Sequence, residues 1–153
     1  MGVEMPAREW RNAGGATAAA ALETVLWAAA GGDVEAFAKR IRFDAAARMA
    51  ALELLRSLPP AEQSKHSSPE ALMAYLTIKD VPAGTALVTN WSGRSDITRS
   101  ANVTLAAPGQ QTKRAMLVFV RDGEEWKLRA TETAVAKYAA ALREAPEKTA
   151  GAK

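Results

Sequence analysis

Groups able to do chemistry are sparse and scattered in this chain. His66 is the only histidine, in the polar run "AEQSKHSS" beside Lys65. A histidine there could serve as a general base, but a lone imidazole in a polar loop reads first as a solvated side chain. One imidazole cannot build a multi-histidine metal site, and no carboxylate cluster stands in for one. With no cysteine, disulfides, thiolate metal sites and a cysteine nucleophile are excluded. No catalytic set emerges, and no cofactor is implied.

Four residues are better candidates for touching a ligand. Trp91 falls at a strand end beside Asn90 and Ser92, where a mouth could form. Tyr75 lies one position off the helix face of Leu72 and Leu76, so it points into a pocket or covers its edge. Arg99 sits on the otherwise apolar side of its strand, where an unpaired cation is costly. It faces either a wet cavity with an anionic ligand or, the favoured alternative, the exposed end of the sheet. Asp96 lies in the turn just before it. Trp10, Trp27 and Trp126 could also line a pocket, but packing in the core is the plainer reading of such large apolar areas, above all for Trp27 and Trp126 on well-formed elements. Arg94, Arg99, Lys113, Arg114 and Arg121 give this region some positive character.

The elements that must hold these residues can be read from spacing. Residues 1–16 look irregular, with Pro6, Asn12 and Gly14-Gly15. Thr17 caps a helix on which Leu22, Val25, Leu26 and Ala29 share one face. Gly31 is expected to end it in the left-handed conformation. Asp33 caps the next helix, with Val34, Phe37, Ala38 and Ile41 on its apolar face. "GGD" therefore reads as stop, turn and start. A phosphate loop would need more glycine and a lysine followed by a hydroxyl. Asp44 caps a third helix to about Leu58, with Met49, Leu52 and Leu55 inward and Pro59-Pro60 stopping it. Ser68-Pro69-Glu70 starts a fourth, with Leu72, Met73 and Leu76 buried.

After "KDVPAG" the period changes to that of strands. Residues 85–91 form the first strand and "SGRSD" a turn. Residues 97–107 alternate, with Ile97, Ala101, Val103 and Leu105 on one side and Thr98, Ser100, Asn102 and Thr104 on the other. "PGQQ" turns the chain again. "RAMLVFV" is apolar on both faces and so reads as a central strand. Asp122-Gly123 makes a hairpin into "WKLRA", with Trp126, Leu128 and Ala130 inward. A final helix over 132–145 places Val135, Tyr138, Ala139 and Leu142 on one face, and residues 146–153 read as a disordered tail. Helices, then an antiparallel meander, then a helix make a single α+β domain over 17–145.

The chain has 153 residues, enough for one domain with a real core, and its 48% hydrophobic and 24% charged content is that of a soluble globular protein. No apolar run reaches the roughly 18 residues of a membrane span. Net charge is +3, with basic residues spread along the chain instead of gathered in a patch, which argues against nucleic acid as a partner. No secretory leader is visible, and Pro6 breaks a myristoylation signal. The chain is expected in the cytoplasm, or outside it if a leader has been removed.

Two stretches together carry a likeness. The opening "LETVLWAAAGGDVEAFAKRI" and the closing hairpin "MLVFVRDGEEWKL" resemble the nuclear-transport-factor-like superfamily, whose cone-shaped α+β fold is shared with polyketide-cyclase-like (SnoaL-like) and steroid-isomerase-like proteins. Closer still is a likeness to uncharacterised bacterial domains beginning W-x-N-A-G-x-A-T, here Trp10, Asn12, Ala13, Gly14, Ala16 and Thr17. The resemblance implies helices packed on a curved antiparallel sheet of about four strands (a cystatin-like cone), with a C-terminal helix. It also implies a conical pocket and a homodimer formed through the open sheet face. It brings no activity with it. The tyrosine that steroid-isomerase-like members carry on helix one is replaced by Val25. The Asp–Arg–Asp set of epoxide-hydrolase-like members could be assembled only by forcing Asp96, Arg99 and Asp44 together, and Asp44 reads as a cap. The expected function is a non-catalytic domain binding a small apolar or anionic ligand, or a protein. The alternatives are a small pocket enzyme of isomerase, cyclase or hydrolase type and a structural assembly domain.

Overall fold

The computed structural model describes residues 3–80, 84–92, 96–109 and 111–151. Residues 81–83 of "KDVPAG", turn residues 93–95 with Arg94, and Gln110 of "PGQQ" lie outside the described residues. The chain is α+β, as the spacing implies. Its elements, in order, are β1 (Val3–Pro6), α1 (Ala18–Gly31), α2 (Val34–Ala38), β2 (Ile41–Phe43), α3 (Ala45–Ser57), α4 (Pro60–Gln63), α5 (Pro69–Asp80), β3 (Thr85–Ser92), β4 (Thr98–Ala106), β5 (Lys113–Asp122), β6 (Glu125–Ala130) and α6 (Glu132–Gly151).

Capping decides the helix starts. The Thr17 hydroxyl accepts the Ala20 N–H, Asp33 accepts the Ala36 N–H and Ser68 accepts the Ala71 N–H. Each pairs a donor that the first helical turn leaves free. Leu22, Val25, Leu26 and Ala29 are buried together on α1, and Leu72, Met73 and Leu76 on α5. Thr24 is buried as well. Its hydroxyl donates to carbonyls of Gly14 and Ala20 and accepts the Ala13 N–H, which ties the preceding loop to α1.

Several expectations change. Gly31 stays helical, and Gly32 takes the left-handed conformation, with φ of 68°. α2 stops at Ala38, so Ile41 leaves the helix face and enters β2. The buried–exposed–buried alternation of Ile41, Arg42 and Phe43 suits a strand against the core, and tertiary pairing overrides the helical spacing. Residues 1–16 are not wholly irregular, because Val3–Pro6 forms an edge strand on β3, where a proline is tolerated. On α3 the inward residues are Ala47, Ala51 and Leu54; Met49 is 61% exposed, while Leu52 and Leu55 are half-buried. The small alanines let α3 approach its neighbours α5 and α6. Asp44 makes no capping bond to α3.

Among the described residues the sheet has six strands in the order β1-β3-β4-β5-β6-β2, two more than the meander predicts. It is mixed, because β2 runs parallel to β6, with Ile41 opposite Leu128 and Phe43 opposite Ala130. β5 lies inside the sheet, as its apolar run suggests. Cross-strand partners share a face, and Ala101, Val103, Leu105 and Phe119 form the buried one beneath the helices. The opposite face of β5 is open, and Met116 there is 66% exposed. β4 pairs with β5 from Lys113 to Val120, but β6 pairs with it only from Phe119 to Asp122. Residues 113–118 therefore have a strand on one side alone. On α6, Val135 is buried, and Tyr138, Ala139 and Leu142 pack against the core as expected.

Candidate functional site

A cavity of about 320 Å³ opens where β6 ends and the chain turns into α6. Its floor is Val25, Leu26 and Ala29 of α1, Phe37 of α2, Ile41 of β2 and Met73 of α5, all buried. Its rim is residues 113–118 of β5 together with Ala134, Lys137 and Tyr138 of α6. Burial grades from nearly complete at α1 to exposed at Arg114, Ala115, Met116 and Lys137, so the mouth lies between β5 and α6. The space has a simple origin. Ala29, Ala115, Ala130 and Ala134 all line it, and a methyl group cannot reach across a helix–sheet interface that a leucine would fill.

The backbone adds polar groups at the same mouth. Arg121 donates its N–H to the Ile97 carbonyl across the β4 side. An unbroken antiparallel ladder alternates this direction residue by residue. The N–H groups of Arg114 and Met116 therefore point away from β4, toward the side that β6 does not cover.

Among the described residues no Asp, Glu or His lines the cavity, and the charged ones that do are Lys113, Arg114, Arg129 and Lys137. Arg129 is already engaged. Its Nε lies 3.0 and 3.1 Å from the two Asp44 carboxylate oxygens, and its Nη2 lies 2.9 Å from one of them. Hydrogen bonding to Asp44 raises the guanidinium's pKa above its ordinary value. This fork explains why Asp44 does not cap α3. Among the described residues, neither Arg114 nor Lys137 has an acidic partner.

The other end of the sheet is closed by ion pairs. Arg42 Nη1 is 2.8 Å and Lys127 Nζ 3.0 Å from Asp122. The Lys127 bond first, then Arg42, holds the Asp122 carboxyl below the usual aspartate range. Arg40 Nη1 sits 3.1 Å from Glu125 Oε2, a charge contact without hydrogen-bond alignment, and packs against Gly15.

None of the four ligand candidates read from the sequence lines the cavity. Trp91 and Arg99 do meet: the guanidinium lies 5.7 Å from the indole ring, and Trp91 in turn tilts against Phe119 at 6.0 Å. Arg99 is exposed, at the sheet end that was its favoured alternative. Asp96 is exposed in the preceding bend. Tyr75 is on α5 against His66, with ring centroids 5.0 Å apart, and Lys79 lies 5.2 Å from its ring. His66 itself is buried, not solvated, because Tyr75 covers it. Lys113 and Arg114 stood out in the sequence only as diffuse positive charge, and Thr77, Lys137 and Tyr138 were not singled out as rim residues. The available signal was the cationic "TKR" directly ahead of an apolar strand, a polar start to an otherwise apolar element. No protein-family model, no curated protein and no solved structure matches this chain.

Proposed function

We propose that this chain is a non-catalytic binding domain that holds a small apolar ligand between its helices and its sheet. The observation that carries this reading is the lining of the 320 Å³ cavity: an apolar floor, with no carboxylate and no imidazole among the described lining residues. Ligand sites are mostly apolar hollows with a few polar groups that fix orientation, and this volume is at the lower end of their range. Isomerase, cyclase or hydrolase chemistry needs a group that takes and returns a proton, and enzymes commonly tune a carboxylate or histidine for it. His66, the only histidine, packs against Tyr75 and does not line the cavity. A hollow beneath helices on a mixed sheet, opened by helix–"GGD"–helix and closed by "WKL", also supports membership of the nuclear-transport-factor-like cone folds.

A neutral fluorescent probe, N-phenyl-1-naphthylamine, tests the reading. Titration should give saturable one-to-one binding that Ala29→Leu weakens. Non-saturable binding, or binding indifferent to Ala29→Leu, would place the probe elsewhere and defeat it.

Self-association through the outer sheet face is part of the same proposal. Met116 is 66% exposed there, beside the half-buried Val118 and Val120. Monomeric proteins keep such apolar surface small. Sedimentation equilibrium should report a dimer that Met116→Lys dissociates; a monomer at all concentrations would remove this part alone.

A further inference from the structure

The hollow is not confined to one face of the sheet. Successive residues of a strand point to opposite faces, so a space above one face is lined by every second residue. Here all of residues 113–118 on β5 line it, and so do Leu128, Arg129 and Ala130 at the end of β6. Register puts Ala115 and Leu117 on the helix side with Val103 and Ala101, and Arg114 and Met116 on the outer face with Thr104 and Asn102. Residues of both faces meet one space only along the strands' edges. The hollow therefore continues in the plane of the sheet, as a gap between β5 and β6 that opens from the Phe119–Leu128 pair toward the start of β5. Ala115 agrees with this, since it faces the helices and is nonetheless exposed.

Such a gap asks for a particular occupant. Its β5 wall is about 20 Å of strand edge. The N–H and C=O groups of Arg114 and Met116 face the gap there, with no strand against them among the described residues. Another extended backbone matches donors and acceptors that alternate at this spacing. A second copy of this chain fits worse, because its β5 carries its own β6 along the same edge from Phe119 on.

We infer that the apolar group held in the hollow belongs to an extended peptide segment of another protein, added to β5 as an antiparallel strand, the sense in which β5 pairs with β4 and β6. The inference rests on the binding reading above and names the class of ligand. Register then assigns the peptide's positions. The residue opposite Ala115 points to the helices, toward Val25 and Leu26 of the floor, and is apolar. The residues on either side of it exchange backbone hydrogen bonds with Arg114 and Met116 and face outward. The one opposite Arg114 is favoured as an acid, because opposite charges attract across strands and Thr104, beside Arg114 on β4, is uncharged.

The test uses acetyl-Thr-Val-Leu-Glu-Thr-amide, whose leucine would lie opposite Ala115 and whose glutamate would lie opposite Arg114. It should displace N-phenyl-1-naphthylamine, and Ala29→Leu should weaken both. Methylating the valine and glutamate nitrogens removes the donors aimed at β5 and should weaken the peptide about tenfold or more. Methylating the last threonine nitrogen, which points away from β5, should not. Met116→Pro deletes a gap-side N–H and spares the bonds to β4, a place where proline is tolerated. It should lose the peptide and keep the probe, which shows the variant folded. Arg114→Glu should weaken the peptide about threefold to tenfold, and lysine in place of the peptide's glutamate should restore binding. In the complex, amide hydrogen exchange should slow at Arg114 and Met116 and stay unchanged at Ala115 and Leu117, whose N–H groups point to β4. A bound probe that the peptide cannot displace overturns the strand inference and spares the binding reading. Equal effects of methylation at both kinds of nitrogen, or unmoved exchange at Arg114 and Met116, overturn the strand geometry. Exchange there that is slow in the free chain and slows further with protein concentration assigns the edge to a second copy and overturns the inference. If the probe itself does not bind, the binding reading fails and this inference with it.

Discussion

Filling the cavity from its floor separates real empty space from a loosely drawn core. Ala29 is buried on α1 and lines the hollow; Ala21 is fully buried on the same helix and does not. Ala→Leu adds three carbons, each worth about 0.8 kcal/mol when it moves into apolar surroundings without strain. Fixing the new side chain costs about 0.5–1 kcal/mol of rotamer freedom. Leucine and alanine differ little in helix propensity. Ala29→Leu should therefore stabilise the chain by about 1.5–2 kcal/mol, read as a melting temperature higher by about 3–8 °C for a domain of this size. Ala21→Leu meets packed neighbours and should destabilise by about 1–3 kcal/mol through overpacking. Urea unfolding with a common slope gives the two free energies directly. Losing room for about three methylenes should weaken an apolar ligand by roughly 50-fold. The reasoning is refuted if Ala29→Leu destabilises as much as Ala21→Leu, for then α1 packs on the sheet in solution and no hollow exists.

Four further outcomes follow from particular contacts. Phe119→Ala removes a side chain with no exposed surface at the centre of the sheet, and should cost about 3–5 kcal/mol in urea unfolding. A methyl group at Gly84 would run into the Ala106 carbonyl, a backbone atom that cannot swing aside, so Gly84→Ala should lower the melting temperature while Gly31→Ala, with open space around it, does not. Asp44→Asn and Arg129→Gln should each cost about 0.5–1 kcal/mol, and a double-mutant cycle should show them coupled; both side chains are about two-fifths exposed, so solvent screening keeps the value small. Asp122 is held below the ordinary aspartate range, so its stabilising contribution is present above that range and lost as pH falls through the lowered value. Urea midpoints measured from neutral to acid pH should fall less steeply for Asp122→Asn.

What could be read from the sequence was what local chemistry decides. Thr17, Asp33 and Ser68 each accept the N–H three residues on, because a cap needs only its own turn. The faces of α1 and α5 and the hairpin at Gly123, with φ of 67°, are local in the same sense. Expectations failed where a distant partner decides. Three residues, Ile41 to Phe43, become a strand only because β6 lies beside them, and four at the N-terminus only because β3 offers an edge. Asp44 has a capping residue's identity and position, yet Arg129, 85 residues away, takes its carboxylate. The phase of α3 followed large side chains, while the packing selected the small ones at Ala47 and Ala51. Trp91 and Arg99 were each candidates in the sequence, but that they meet was not legible there, and their meeting is at one sheet end while the hollow is elsewhere.

The hollow was invisible for a reason that bears on its role. A site built from placed functional groups announces itself through residue types; this one is built from the lack of bulk. Ala29, Ala115, Ala130 and Ala134 each look like ordinary helix or strand filler, and only the fold brings four of them to one hollow. β6 contributes as much by stopping. Had it continued pairing beyond Phe119, its side chains would occupy the mouth and the N–H groups of Arg114 and Met116 would be spent in a ladder. An early strand end and four small residues together leave both the volume and the backbone donors at its edge. Unfilled apolar volume costs stability, roughly in proportion to its size. A core with a deep apolar gap is therefore a poor solution for stability alone, and a coherent one for the ligand-binding domain proposed above. Ligand binding should accordingly raise the melting temperature in proportion to the logarithm of free ligand above its Kd. A thermal-shift series with N-phenyl-1-naphthylamine on the unaltered chain and on Ala29→Leu checks this, since the filled variant should start higher and respond less.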